Sequence, residues 1–238
     1  GVPTGEYIRL DRSAELLATQ RRRLPGTREV LGCATDLPCA DASLALVICN
    51  EVIADLAAVP VDMRESGHTG TAGEVVERIG RYGLAAASER MFYNLGAWKL
   101  IEEIERVLLP GGCAFISEFG AMDEVPEETL HLDHPEVSIH FGHLCAVARA
   151  LGLRVRCLGL DELMRFELNS GWLSRASYEA LRARMRSEDR HLEARAWTPE
   201  TLELPWRVEG LEWVPISEPG AGPLVTRFMA LLIEKNPG

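Results

Sequence analysis

The sequence predicts an α/β fold built on an open, mostly parallel sheet with helices on both faces. Three observations carry that reading. Apolar strand-like runs alternate with helix-like runs along most of the chain, the pattern of strand–helix–strand crossovers. Several of those strands end in acidic or polar residues, where sheets of this kind bind ligands. A length of 238 residues, 47% of them apolar, suits one domain with an ample core. The reading is therefore a single domain over 1–238.

Taken in order, Tyr7 to Leu10 is a short strand, and Ser13 is an N-cap opening a helix that Pro25 and Gly26 end. Glu29 to Cys33 is the next strand. Leu44 to Cys49 is apolar at every position and predicts a central strand buried on both faces. The stretch from Pro60 to Gly96 is too long for an ordinary connection, and with Glu74-Val-Val-Glu-Arg-Ile helical inside it, it is read as a substrate-side insertion or lid over 60–96. Ala97 to Leu108 is a helix, turned by Pro110-Gly111-Gly112 into the strand Cys113 to Ser117. Phe141 to Leu151 is helical with Gly152 as its stop, and Leu153 to Leu158 is another strand. Tyr178 to Arg190 has helical composition, and the long apolar run from Val225 to Lys235 is assigned to a closing C-terminal antiparallel hairpin.

Charge and composition narrow the function. A net charge of −11, with no long basic run, opposes any role that holds a phosphate backbone, so nucleic acid is not expected as a partner. No apolar run approaches the ~20 residues of a membrane span, and no signal-peptide pattern opens the chain. Six cysteines without a C-x-x-C pair, several inside apolar runs, point to reduced thiols and a cytoplasmic location.

Four phrases stand in a fixed order: Tyr7-Ile-Arg-Leu-Asp11, Ala34-Thr-Asp-Leu-Pro-Cys-Ala-Asp41, Leu44-Ala-Leu-Val-Ile-Cys-Asn-Glu51, and Arg106-Val-Leu-Leu-Pro-Gly-Gly112 running on through Cys113-Ala-Phe-Ile-Ser-Glu118. An acid ending the second strand of such a sheet can accept from ribose hydroxyls, and Asp11 has that place; capping the following helix is its other reading. Asp36, just past a strand, can accept from an adenine amino group while Leu37 covers the ring, or it is an ordinary turn aspartate beside Pro38. Glu51 follows an apolar strand directly, so the chain delivers a carboxylate to the ligand edge of the sheet; an exposed first-turn glutamate favoured by a helix dipole is its other reading.

This order resembles strands two to five of class I S-adenosylmethionine-dependent methyltransferases, with their Rossmann-like sheet. The resemblance implies S-adenosyl-L-methionine as cofactor, held by Asp11 with Arg12, Asp36 with Leu37, and Asn50. It also implies a first strand and a Gly-rich turn ahead of Tyr7. Neither occurs within 1–238, so upstream residues are expected and Gly1 is read as a boundary. Asn50-Glu51-Val-Ile-Ala-Asp55-Leu, taken with Glu136-Val-Ser-Ile-His140-Phe-Gly-His143-Leu, resembles two relatives within the fold: the O-methyltransferase domains of modular polyketide synthases and, more distantly, the MidA-like protein-arginine methyltransferases.

For the first relative the resemblance implies methylation of a β-hydroxyl on a polyketide intermediate carried by an acyl carrier protein. The acyl substrate, the carrier protein and flanking synthase domains are then the partners, with neither nucleic acid nor membrane among them. The catalytic pair is His140 as general base and Glu51 as its orienting carboxylate, chemistry that suits a weakly nucleophilic alcohol. Arginine methylation asks instead for carboxylates around a guanidinium, a task Glu51 also fits. A binding-only relic that has lost its cofactor site is the third reading. His131, His134, His140 and His143, with Asp133 and Glu136, make a histidine-rich segment. Without a second matching motif it is read as ordinary surface and core histidines, and no metal site is assigned.

Overall fold

The computed structural model describes residues 7–23, 26–131, 134–164, 171–188, 209–215 and 227–237. The chain divides into two compact units, Gly1–Cys157 with Met229–Gly238 and, separately, Leu158–Phe228, where the composition reads as one domain.

In the first unit, β1 (Ile8–Asp11), α1 (Ala14–Arg23) and β2 (Arg28–Leu31) form a parallel strand–helix–strand pair. Next come β3 (Leu44–Asn50), a short 3-10 turn (Ile53–Asp55), β4 (Val59–Asp62), α2 (Gly70–Tyr82), β5 (Arg90–Tyr93), α3 (Leu95–Val107) and the long β6 (Leu108–Ala121). A small hairpin of β7 (Glu128–His131) and β8 (His134–Val137) precedes β9 (Ile139–His140), α4 (Phe141–Ala150) and β10 (Arg154–Gly159). In the second unit, α5 (Leu160–Met164) is followed by β11 (Gly171–Leu173), α6 (Arg175–Ser187) and β12 (Trp213–Pro215); β11 and β12 pair antiparallel, and Leu181 and Met185 of α6 make a small core. The last strand, β13 (Phe228–Glu234), returns to the main sheet.

That main sheet has the order β10-β13-β6-β3, with β9 added to the far end of β6. β3 and β6 are parallel, Asn50 lying opposite Ser117. The end of β13 lies beside the starts of both neighbours: Asn236 donates to the Gly152 carbonyl, and Lys235 exchanges backbone bonds with Gly111 and Gly112. β13 therefore runs antiparallel to them, as the apolar C-terminal run implies; residues 225 and 226 of that run, and 189 and 190 of the helix read over 178–190, lie outside the described residues. The result is a mixed α/β sheet flanked by helices.

Two expectations are corrected. β3 is not buried on both faces: Leu46 and Ile48 are 50% and 59% exposed. The strand ends the hydrogen-bonded order, pairing with β6 alone among the described residues, so part of its apolar surface has no cover. Nor is 60–96 a separate element laid over a finished core. β4 pairs antiparallel with β5, and Val75 of α2, Leu84, Met91 and Tyr93 are all buried in the main hydrophobic cluster with Trp98, Ile101 and Ile104 of α3. The amphipathic spacing of α2 already fits one face to a core.

Two glycines let the chain close tightly where β6 meets α4. A Cβ on Gly120 would come within 2.1 Å of the Ile139 carbonyl oxygen, and one on Gly142 within 2.3 Å of the Met122 carbonyl oxygen. Both obstacles are backbone, which cannot step aside as a flexible side chain can. Replacing Gly120 by Ala should therefore separate β6 from β9 and lower stability by about 2–4 kcal/mol, read as a shift in the urea midpoint; an unshifted midpoint would mean that this junction yields freely.

Candidate functional site

Polar groups gather at two places in the first unit. One lies at the ends of β1 and β2. The Gly32 N–H donates to the Asp11 carbonyl, and the Ser13 N–H donates to Asp11 Oδ1 at 2.8 Å. Ser13 in turn accepts from the Leu16 N–H, so the predicted N-cap is in place and Asp11 supports the turn into α1. Its Oδ2 takes no part in these bonds. Arg12 is exposed, and its charge, like that of Asp36, acts on the Cys33 thiol, which is held below its ordinary range chiefly by the Thr35 hydroxyl 3.1 Å away. Asp11, Arg12 and Asp36 thus share one neighbourhood.

The loop after Asp36 is clamped by residues not singled out from the sequence. Glu103 Oε2 accepts from the Leu37 N–H at 2.7 Å. The Arg106 guanidinium donates to the carbonyls of Leu37 and Cys39 at 2.8 and 2.7 Å, to Asp41 at 2.7 Å and to Glu103 at 2.6 Å. These bonds raise the Arg106 pKa further and lower that of Glu103. In sequence, Glu103 and Arg106 read as a helical i,i+3 surface pair; only folding brings the loop onto them.

The second gathering lies at the C-terminal ends of β3, β6 and β9. Glu51 is exposed and has φ +52°, a left-handed conformation costly for a residue with a side chain. Its N–H donates to the Ser117 carbonyl, while the Asn50 amide donates to its Oε1 at 3.3 Å and accepts from the Ser117 hydroxyl at 2.5 Å. Next along β6, Glu118 is buried and accepts from the N–H groups of Phe119 and Ala54. Burial pushes its pKa up, with the charges of Glu136 and Glu51 adding to that rise. Glu118 has the sequence signal that singled out Glu51, an acid directly after an apolar strand.

His140 sits opposite Ala121 where β9 pairs with β6. Its N–H donates to Asn94 Oδ1 at 3.0 Å, and the Asn94 amide donates to the Ser138 carbonyl. The His140 ring caps α4, its Nδ1 accepting from the His143 N–H at 3.2 Å. The neutral ring therefore carries its proton on Nε2. The His143 ring stacks on it with centroids 3.8 Å apart and, by its Nε2–H, donates to the Ala85 carbonyl at 2.7 Å. Burial, reinforced by the neighbouring ring, lowers the His140 pKa to about 4, and burial lowers that of His143 as well. Among the described residues no hydrogen bond joins His140 to Glu51.

The histidine-rich segment thus separates. His140 and His143 are buried at the start of α4, whereas His134 is half-exposed and lies 2.9 Å from both Asp55 Oδ1 and Glu136 Oε1. Asp133 and the His131 side chain lie outside the described residues.

No family model matches this sequence, and no curated protein matches it. Among solved structures, the chain is similar to an S-adenosylmethionine dependent methyltransferase from Mesorhizobium loti, at 11% identity over 97% of this chain and 81% of that one, with a TM-score of 0.44. It is similar also to the [4+2]-cyclase SpnF, at 14% identity over 98% of this chain and 67% of that one, TM-score 0.44. The PH0226 protein from Pyrococcus horikoshii matches 48% of this chain at 17% identity and TM-score 0.31, and the chain spans 37% of its length. Across the described residues no helix is long and apolar enough to cross a membrane.

A pH dependence follows from the stacked imidazoles. Their folded pKa values lie below the ordinary histidine value of ~6.5, so unfolding takes up protons as the pH falls. The stability they allow is complete above about pH 6.5 and is lost as the pH drops toward 4. For His140 alone the loss is on the order of 3 kcal/mol. His140→Asn, which keeps a cap acceptor but cannot titrate, should lessen the loss of stability between these limits in denaturant titrations at stepped pH. An unaltered slope would place the responsible groups elsewhere.

Proposed function

We propose that the chain is an S-adenosyl-L-methionine-dependent methyltransferase that acts on oxygen, methylating the β-hydroxyl of an acyl chain held on an acyl carrier protein. The observation that carries the reading is the placement of Asp11 and Glu51 at and just beyond the C-terminal ends of parallel-paired strands, with Glu118 where the β3–β6 pairing stops and Asp36 in the loop that follows β2, the ligand edge of such a sheet. The residues at β1 and β2 fit an adenosine. Asp11 keeps Oδ2 for ribose hydroxyls, and Asp36 with Leu37 stands in a loop held in shape by Glu103 and Arg106. When bound, the cofactor supplies an electrophilic methyl group on a sulfonium.

The chain's own contribution lies at the second gathering. His140 is neutral at physiological pH, and to act as a base its Nε2 must be free of a proton. The ring must then release the His143 N–H and carry its proton on Nδ1, at a cost of about 1 kcal/mol, that of losing one cap bond. Glu51, in its strained turn, stabilises the cation that results. A second reading, methylation of a protein arginine, is favoured by the convergence of Glu51, Glu118 and Glu136, since grouped carboxylates suit a guanidinium.

Intact-mass measurement after incubation with the cofactor separates the readings. A gain of one methyl group on a hydroxyacyl carrier protein supports oxygen, the same gain on an arginine peptide supports the second reading, and no gain on either points to a binding-only protein. In calorimetry, Asp11→Ala should weaken S-adenosylmethionine by ~1–3 kcal/mol; unchanged affinity would leave Asp11 a turn residue only. In single-turnover assays, His140→Ala should lower the rate by ~10²–10⁴. The wild-type rate should stay flat from pH 6 to 8, because the pKa near 4 leaves His140 already deprotonated there. A rise centred near neutrality would mean that another base works.

A further inference from the structure

Asp55, His134 and Glu136 come from separate parts of the chain, the 3-10 turn after β3 and the β7–β8 hairpin. Their ligand atoms nonetheless lie within 4.8 Å of one another. His134 Nε2 stands 2.9 Å from Asp55 Oδ1 and also 2.9 Å from Glu136 Oε1. One nitrogen carries at most one hydrogen, so it cannot point a separate hydrogen at each carboxylate. Two ligand atoms bound to one ion at about 2.1 Å and at right angles are themselves about 3 Å apart, the separation seen here.

The surroundings favour a cation. The hairpin packs on the turn so that Glu136, with Glu51, bears on the buried Glu118 and adds to the rise in its pKa. Glu118 in turn accepts from the N–H of Ala54, the residue before Asp55. The charges of Glu51 and Glu136 thus both bear on Glu118, and Asp55 directly follows the residue whose N–H Glu118 accepts. A divalent ion held among them would offset the charges of Asp55 and Glu136 together.

We infer that Asp55, His134 and Glu136 form a binding site for a first-row divalent metal ion, with zinc or manganese the fitting class. An imidazole nitrogen with two carboxylate oxygens suits these ions, whereas magnesium and calcium take oxygen donors. Three protein ligands leave further positions for water or for an oxygen of a bound molecule. The site departs from the sequence reading, which assigns no metal, and it does not depend on the methyltransferase reading.

The test uses the chelator-stripped chain with the metal alone. Equilibrium dialysis against Zn²⁺ and against Mn²⁺ should show one saturable ion per chain. His134→Ala and Glu136→Gln should each weaken it about tenfold or more, while Glu128→Gln, an acid on the same hairpin, should leave it unchanged. With Mn²⁺ bound, electron spin echoes should carry nitrogen modulation from a coordinated imidazole, absent in His134→Ala. All three residues are at least partly exposed, so metal-free thermal midpoints should match the wild type and confirm that the variants fold. Absence of saturable binding, binding that His134→Ala and Glu136→Gln do not weaken, or a manganese signal without imidazole nitrogen would each overturn the assignment.

Discussion

The parallel pairing of β3 with β6 is the constraint on which the rest of the first unit depends. Its register sets Asn50 against Ser117, and the next residue on each strand is a glutamate. Two carboxylates are thereby delivered side by side to one edge of the sheet. Glu51 reaches that edge only by taking a left-handed backbone conformation, held by its N–H bond to Ser117 and by the amide of Asn50. Glu118 stays under cover, supported by two backbone N–H groups. Local strain and a buried acid tolerated together are features that folds keep where chemistry or binding requires them.

Helix α3 couples the two gatherings of polar groups. Its middle is buried, with Trp98, Ile101 and Ile104 wholly enclosed, so its ends are fixed with respect to β6. At the start, Asn94 holds both the His140 N–H and the Ser138 carbonyl, which sets the approach to α4. At the finish, Glu103 and Arg106 hold the loop from Leu37 to Asp41. A change in the packing of this helix would be felt at both ends, because a close-packed core transmits displacement rather than absorbing it.

The electrostatic character of the two histidine environments differs for one reason, the access of water. His140 and His143 are stacked and buried, where charge on either ring is penalised by desolvation and by its neighbour. They are held neutral. His134 is half-exposed and lies between two acids. Residues six positions apart in sequence thus have different surroundings, and nothing in their local composition separates them.

The order of strands and helices was legible in the sequence because it rests on local chemistry: Ser13 before a helix, Pro110-Gly111-Gly112 between a helix and a strand, Gly152 after α4, and apolar runs of strand length. The positions of Asp11 and Glu51 at strand ends were legible on the same grounds, since a residue at the end of a strand has little freedom to go elsewhere. Solvent cover could not be read this way. β3 is apolar at nearly every position, yet Leu46 and Ile48 are exposed, because burial depends on neighbours supplied by distant chain. The 60–96 stretch looks like an insertion by length, but its α2 and β5 complete the core. Tertiary structure alone decided that Arg106 grips the loop after Asp36, that the His140 ring is committed to a cap, and that His134 faces Asp55 from 79 residues away. Such contacts depend on where folding closes long loops, and sequence spacing does not encode that closure.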